Sequence, residues 1–257
     1  MTLLDDLLAP GGVTTVFQPI IAFGADGSNA LHGYEALTRG PRGSHASRAD
    51  VLFEYVRRKR AEPLVDRLCV TAALEAARRL PACPHLSLNV HAATLGQDDR
   101  FADLLLRAAE ASGFRPDQLV IEIVEQSSAW NSFGFARALE GLRRAGVRLA
   151  VDDVGTGHSN LQMVIEVRPD FLKLDRFFVT GAATDPVRQA TLAAMAGLAA
   201  ALGGAVVAEG VETAADLAAV RAAGITLAQG YLLSPPLAPA TPFPLPTAWL
   251  QAPPLSA

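Results

Sequence analysis

The chain has 257 residues, half of them hydrophobic, 19% charged and 6% aromatic, with a formal net charge of −4. That is too apolar for a disordered chain, long enough for one large domain or two small ones, and lacks the Lys/Arg excess that binding to the phosphates of a DNA or RNA polymer requires. Cys69 and Cys83 are the only cysteines, which excludes a disulfide framework and a cysteine zinc site.

Residues 1–10 carry Asp5 and Asp6 and no basic run, so no secretory signal is expected. Val16-Phe17-Gln18-Pro19-Ile20-Ile21 is the first expected strand and residues 31–37 the second. The Gly-rich connection 24–27 predicts a hairpin between them, and hence an antiparallel first strand. Helices are expected over 49–60 and 63–80, the latter with Pro63 in its first turn. A strand at 86–90 precedes a helix at 101–112. A strand at 119–124 precedes a helix that ends near Gly146. A strand at 148–152 leads into a Gly-rich turn and a short helix, and residues 171–174 form the next strand. Asp185-Pro186 opens a helix, residues 205–208 form a strand, a helix over 212–223 closes at Gly224, and 227–231 is the last strand. Residues 192–208 are uncharged, at the short limit of a membrane span. Ala and Gly dominate there and Gly203-Gly204 breaks the run, so a buried helix, a turn and a strand are expected, with no span and a cytoplasmic chain.

Eight strands mostly separated by helices predict an α/β fold, a TIM-like (β/α)8 barrel over residues 1–236 with an irregular antiparallel first strand. An open doubly wound sheet is the alternative. Eight of the 17 prolines follow Ser234, which makes residues 237–257 a Pro-rich tail.

Barrel chemistry sits at the carboxyl ends of the strands. There the sequence places Glu35, Asn89, Glu122, Glu125, Asp152, Asp153, Lys173, Glu209, Glu212 and Gln229. Singly, most have an ordinary reading: Asp152, Asp153 or Glu212 as a helix N-cap, Lys173 as a snorkelling side chain, Asn89 as a turn former. Glu122 is different, because it interrupts Leu119-Val120-Ile121-Glu122-Ile123-Val124, where a buried carboxylate needs a partner. Acids converging on one rim repel each other and call for a cation. Oxygen donors without a Cys or His cluster suit Mg²⁺ or Mn²⁺, and adjacent Asp152-Asp153 can bridge two such ions. The turn Asp153-Val154-Gly155-Thr156-Gly157-His158-Ser159-Asn160 reads equally as a phosphate loop or a plain connection.

The motifs Tyr34-Glu35-Ala36-Leu37-Thr38-Arg39-Gly40, Leu88-Asn89-Val90, Ile121-Glu122-Ile123-Val124-Glu125, Val151-Asp152-Asp153-Val154-Gly155-Thr156-Gly157, Leu172-Lys173-Leu174-Asp175, Ala208-Glu209-Gly210-Val211-Glu212-Thr213 and Gln229-Gly230-Tyr231 resemble, in order, the EAL-domain family of bacterial cyclic di-GMP phosphodiesterases. The resemblance spans residues 16–236. It implies hydrolysis of cyclic di-GMP to linear pGpG by two ions, Mg²⁺ or Mn²⁺. Glu35, Asn89, Glu122 and Asp152 would ligate the first ion, and Asp152, Asp153 and Glu209 the second. Lys173 would act on the attacking water, Arg39 would contact a phosphate and Gln229 would help hold the site. Glu125 and Glu212 would support the loop and the metal region. A homodimer formed near the helix after Asn160 is implied as well. Ca²⁺, with its longer bonds and higher coordination, is expected to inhibit. Val124, Val154, His158 and Asn160 stand where the family usually has Thr, Phe, Tyr and Ser, and none of these departures removes a metal ligand. A cyclic di-GMP receptor or protein-interaction module without turnover, or an enzyme for another phosphodiester, are the competing readings.

Overall fold

The computed structural model describes residues 2–41, 43–80, 82–124, 132–155, 161–239 and 241. In chain order these form α1 (Leu3–Leu8), β1 (Thr14–Phe23), β2 (Asn29–Arg39), α2 (Ala49–Arg58), α3 (Glu62–Ala77), β3 (Leu86–His91), α4 (Ala92–Gln97), α5 (Phe101–Ala111) and β4 (Leu119–Val124). There follow α6 (Phe133–Arg144), β5 (Arg148–Val151), α7 (Leu161–Val167), β6 (Phe171–Leu174), α8 (Arg176–Val179), α9 (Pro186–Ala201), β7 (Ala205–Ala208), α10 (Ala214–Ala222) and β8 (Leu227–Ala228). The strands follow one another in hydrogen-bonded order and close into a barrel, as expected. Two compact units build it: one holds residues up to Phe17 and Glu35–Arg148, the other Gln18–Tyr34 and Leu149–Leu237.

In the first unit, β3 and β4 pair in parallel over six residues, from Leu86 opposite Leu119 to His91 opposite Val124. Leu86, Leu88, Val90, Leu119, Ile121 and Ile123 alternate along the two strands and are fully buried, as strands covered by helices demand. The helix α4 is an addition to the expected elements. It starts directly after β3 with no side-chain cap, so no start signal precedes it. It crosses α6 so closely that a Cβ on Gly134 would strike the Gly96 carbonyl. Leu7, Val13, Leu52, Val56, Val65 and Cys69 form a second buried cluster between α1, α2 and α3.

In the second unit, the connection between β1 and β2 is held by Asp26 Oδ1, which accepts from the Ser28 amide at 2.9 Å and hydroxyl at 2.6 Å. The strands β5 to β8 run parallel, and β8 pairs antiparallel with β1. α9 starts where expected, with Asp185 Oδ1 accepting from Val187 N at 2.9 Å. It is not a buried helix, however: it buries only Leu192 and Ala199 and leaves its small residues outward. No helix among the described residues is long and apolar enough to cross a membrane.

β8, Leu227–Ala228, is shorter than the expected 227–231, and a proline in β1 stands where its ladder would continue. Ile21 faces Ala228, and Phe23 N donates to Thr226 O at 2.8 Å. Antiparallel ladders bond at every second pair, so the next rung belongs to Pro19 and Gly230. Proline has no N–H to give. Gly230 O instead accepts from Leu233 N at 3.0 Å and Ser234 N at 2.9 Å, and the chain turns.

Candidate metal centre

The parallel strands β5, β6 and β7 end side by side, and β8 ends beside β7. Their backbones keep pairing just beyond: Val154 N donates to Lys173 O at 3.0 Å, Glu209 N to Leu174 O at 3.0 Å and Gln229 N to Ala208 O at 2.9 Å. This places Asp152 and Asp153 after β5, Lys173 within β6, Glu209 after β7 and Gln229 after β8 at one place. Lys173 does not snorkel to water, since its side chain is only 2% exposed. Its ammonium lies 2.7 Å from Glu209 Oε1 and 3.2 Å from Asp152 Oδ1, the company a buried cation requires. Gln229 Nε2 donates to Glu209 Oε1 at 3.2 Å.

Asp152, Asp153 and Glu209 each present an oxygen within 4.8 Å of the others. Three carboxylates converge on the Lys173 ammonium, an arrangement that a divalent cation would relieve. Asp152 Oδ1 is buried and accepts no hydrogen bond, although Lys173 stands nearby. Two oxygens sharing an ion at ~2.1 Å stand no more than about 4.2 Å apart, so small side-chain movements close the cluster on one hard cation. The all-oxygen donor set therefore fits a hard divalent cation.

Asp153 carries a left-handed backbone with φ +51°. Only a few residue types take that conformation readily, Asp and Asn among them, and strain of this kind gathers at functional sites. Gly155 follows with φ +90°, and a Cβ there would lie 2.7 Å from the Phe178 ring. Val154 between them is fully buried, so the residue is firmly anchored despite its small size. Residues 156–160, and with them His158, Asn160 and most of the candidate phosphate loop, lie outside the described residues, as does Glu125.

In the first unit, Asn89 Nδ2 donates to Glu35 Oε1 at 3.0 Å, and Asn89 faces Glu122 in the β3–β4 register. Glu35 and Glu122 are both buried. These three predicted ligands are thus brought together on β2, β3 and β4. Arg39 ends β2 half-buried, with Nη1 donating to Thr38 O at 3.0 Å. Glu212 is exposed, pairs with Arg176 at 3.5 Å and is not an N-cap. Thr213 caps α10, its hydroxyl accepting from Asp216 N at 3.0 Å.

Two polar groups were not singled out from the sequence. Asp66 on α3 accepts from His91 N at 2.9 Å and Thr94 Oγ1 at 2.6 Å, and its other oxygen lies 2.8 Å from His91 Nδ1. Burial opposes charge on His91, but Asp66 outweighs it and holds the imidazole above its ordinary 6.5. The second group is Gln18, buried on β1, whose Nε2 donates to Ser234 O at 3.1 Å. A polar residue inside an apolar strand, next to a proline, was the available signal.

Among curated proteins, the chain is 32% identical over 228 residues to the cyclic di-GMP phosphodiesterase NbdA of Pseudomonas aeruginosa, covering 86% of this chain and 28% of that protein. It is 30% identical over 247 residues to the oxygen sensor protein DosP of Escherichia coli, covering 91% and 29%. The chain thus spans less than a third of either relative. Among solved structures, a standalone EAL protein from Vibrio cholerae in its c-di-GMP-bound form superposes with a TM-score of 0.78 at 27% identity, covering 93% of this chain and 98% of that one. BlrP1 of Klebsiella pneumoniae, in a complex with manganese and cyclic di-GMP, gives 0.76 at 30% identity, covering 89% and 57%. The family model described as EAL domain matches residues 2–236, and the acidic strand ends described above fall inside that match: the chain belongs to the EAL-domain family.

Proposed function

We propose that this chain is a metal-dependent phosphodiesterase that hydrolyses cyclic di-GMP to linear pGpG. The observation that carries the proposal is the group of three carboxylates, Asp152, Asp153 and Glu209, gathered around the buried Lys173. In this reading Asp152, Asp153 and Glu209 hold one divalent ion, and Glu35, Asn89 and Glu122 donate oxygens to another. Such ions, Mg²⁺ or Mn²⁺, supply positive charge for the phosphoryl oxygens and lower the pKa of water.

The remaining work belongs to side chains. Lys173, held by Asp152 and Glu209, presents N–H donors in a fixed direction to the attacking water, a preorganised electrostatic contribution. Gln229 keeps Glu209 oriented, Arg39 offers a guanidinium to a substrate phosphate, and Glu125 and Glu212 support the loop and its surroundings. The active module spans residues 1–236, with 237–257 as a tail. It works as a homodimer in the cytoplasm.

Incubating purified protein with cyclic di-GMP and Mg²⁺ or Mn²⁺, with products read by chromatography, tests this. pGpG should appear, stop in EDTA, return with added Mn²⁺, and fall when Ca²⁺ is added. Tight binding with no product after prolonged incubation would make the chain a receptor. Turnover in excess chelator would sink the metal-dependent mechanism.

A further inference from the structure

We propose that Gln18 is a positioning residue for the Asp152–Asp153–Glu209 centre: its side-chain amide holds the turn that aims Gln229 at Glu209. The proposal rests on reading those carboxylates as a metal site. Pro19 has no N–H to donate to the next rung of the β1–β8 ladder, which weakens the backbone link between β1 and the segment after Ala228. Gln18, one residue earlier, spans the gap with a buried hydrogen bond from Nε2 to Ser234 O. Ser234 is itself buried, and its amide donates to Gly230 O. The far side of the turn is fastened to the loop after β7. Val211 N donates to Gln229 O at 3.1 Å, and Leu232 N donates to Val211 O at 3.0 Å. Gly230 lies so close to the Val211 backbone that a Cβ would collide with it. The turn is thus fastened to Ala208 and Val211 on one side, through the backbone, and to β1 on the other through the Gln18 side chain. Gln229 sits at its start, with its amide on Glu209 Oε1. Releasing Gln18 frees one anchor, loosens Gln229 and leaves Glu209 less firmly placed for a cation.

The test is calorimetric titration of Mn²⁺ into the whole chain without substrate, for wild type, Gln18→Met, Gln229→Met and the double variant. Met keeps the length of Gln and removes the donor. Gln18→Met should weaken Mn²⁺ binding at least fivefold, and Gln229→Met by a similar factor. The double variant should be scarcely weaker than either single one, because both act through the same contact. Gln18→Asn, which stays polar but falls short of Ser234, should weaken binding in the same direction. Unchanged Mn²⁺ affinity in Gln18→Met and Gln18→Asn, or fully additive losses in the double variant, would overturn the proposal. Wild type that binds Mn²⁺ yet yields no pGpG overturns the phosphodiesterase reading alone, and leaves the comparison of variants intact.

Discussion

Lys173 is the residue on which the proposed chemistry of the second unit turns. Its ammonium is buried between Asp152 and Glu209 and so neutralises part of their charge, and in the proposed reading it also faces the attacking water. Lys173→Met removes that cation and leaves the acids for the metal. Mn²⁺ affinity should hold or rise, whereas kcat should fall by roughly 10²–10³. Metal titration beside steady-state kinetics separates the two effects, and near wild-type kcat would refute the role. Glu122 was legible in the sequence because it interrupts an apolar strand, where a charge has no ordinary use, whereas Lys173 alone reads as a snorkelling side chain and was legible only within its motif. Gln18 was not. Its partner Ser234 stands 216 positions away, and the polar residue beside a proline that could have marked it carries no charge to say what it binds.

Elements show the same division between local and distant causes. β4, β6 and β7 begin and end where the apolar runs do, because their limits are set by their own residues. β8 stops where its ladder meets Pro19 of β1, and no capping residue announces α4. The Asp66 network has equally distant parts. It fastens α3 to the end of β3 and to α4 through three hydrogen-bonding groups at one buried carboxylate. Asp66→Ala should destabilise the fold by about 2–4 kcal/mol, read by denaturant unfolding, since it strands buried donors. The pH dependence has a definite sign. The folded pKa of His91 is raised, so its charged pairing with Asp66 contributes fully below the unfolded value near 6.5 and fades as pH rises through the folded value. Wild-type stability should therefore drop across that window more than the variant's does. Parallel pH curves for the two proteins would rule out a titrating pair.

At the scale of the molecule, both units place acids where β-strands end, and one barrel carries them. Carboxylates held together without a cation repel each other and work against folding. A divalent ion that binds only the folded chain should stabilise it by about 2.7 kcal/mol at a hundredfold excess over Kd, or roughly 5–10 °C in Tm. Differential scanning with Mn²⁺ and then EDTA checks this without substrate. An unmoved Tm at millimolar Mn²⁺ would count against an ion in either unit. The barrel itself was legible from the alternation of strands and helices. The joining of distant acids was legible only as a rule about where strands end.

The left-handed backbone at Asp153 has a further consequence, for how a chain of this kind drifts over time. Asn and Gly fit that conformation at little cost, whereas branched or bulky side chains strain it. Replacement by Asn or Gly keeps the architecture and erases one ionised group of the proposed metal centre. A lineage can thus pass from chemistry to recognition in a single step at this position, with no loss of fold to betray the change.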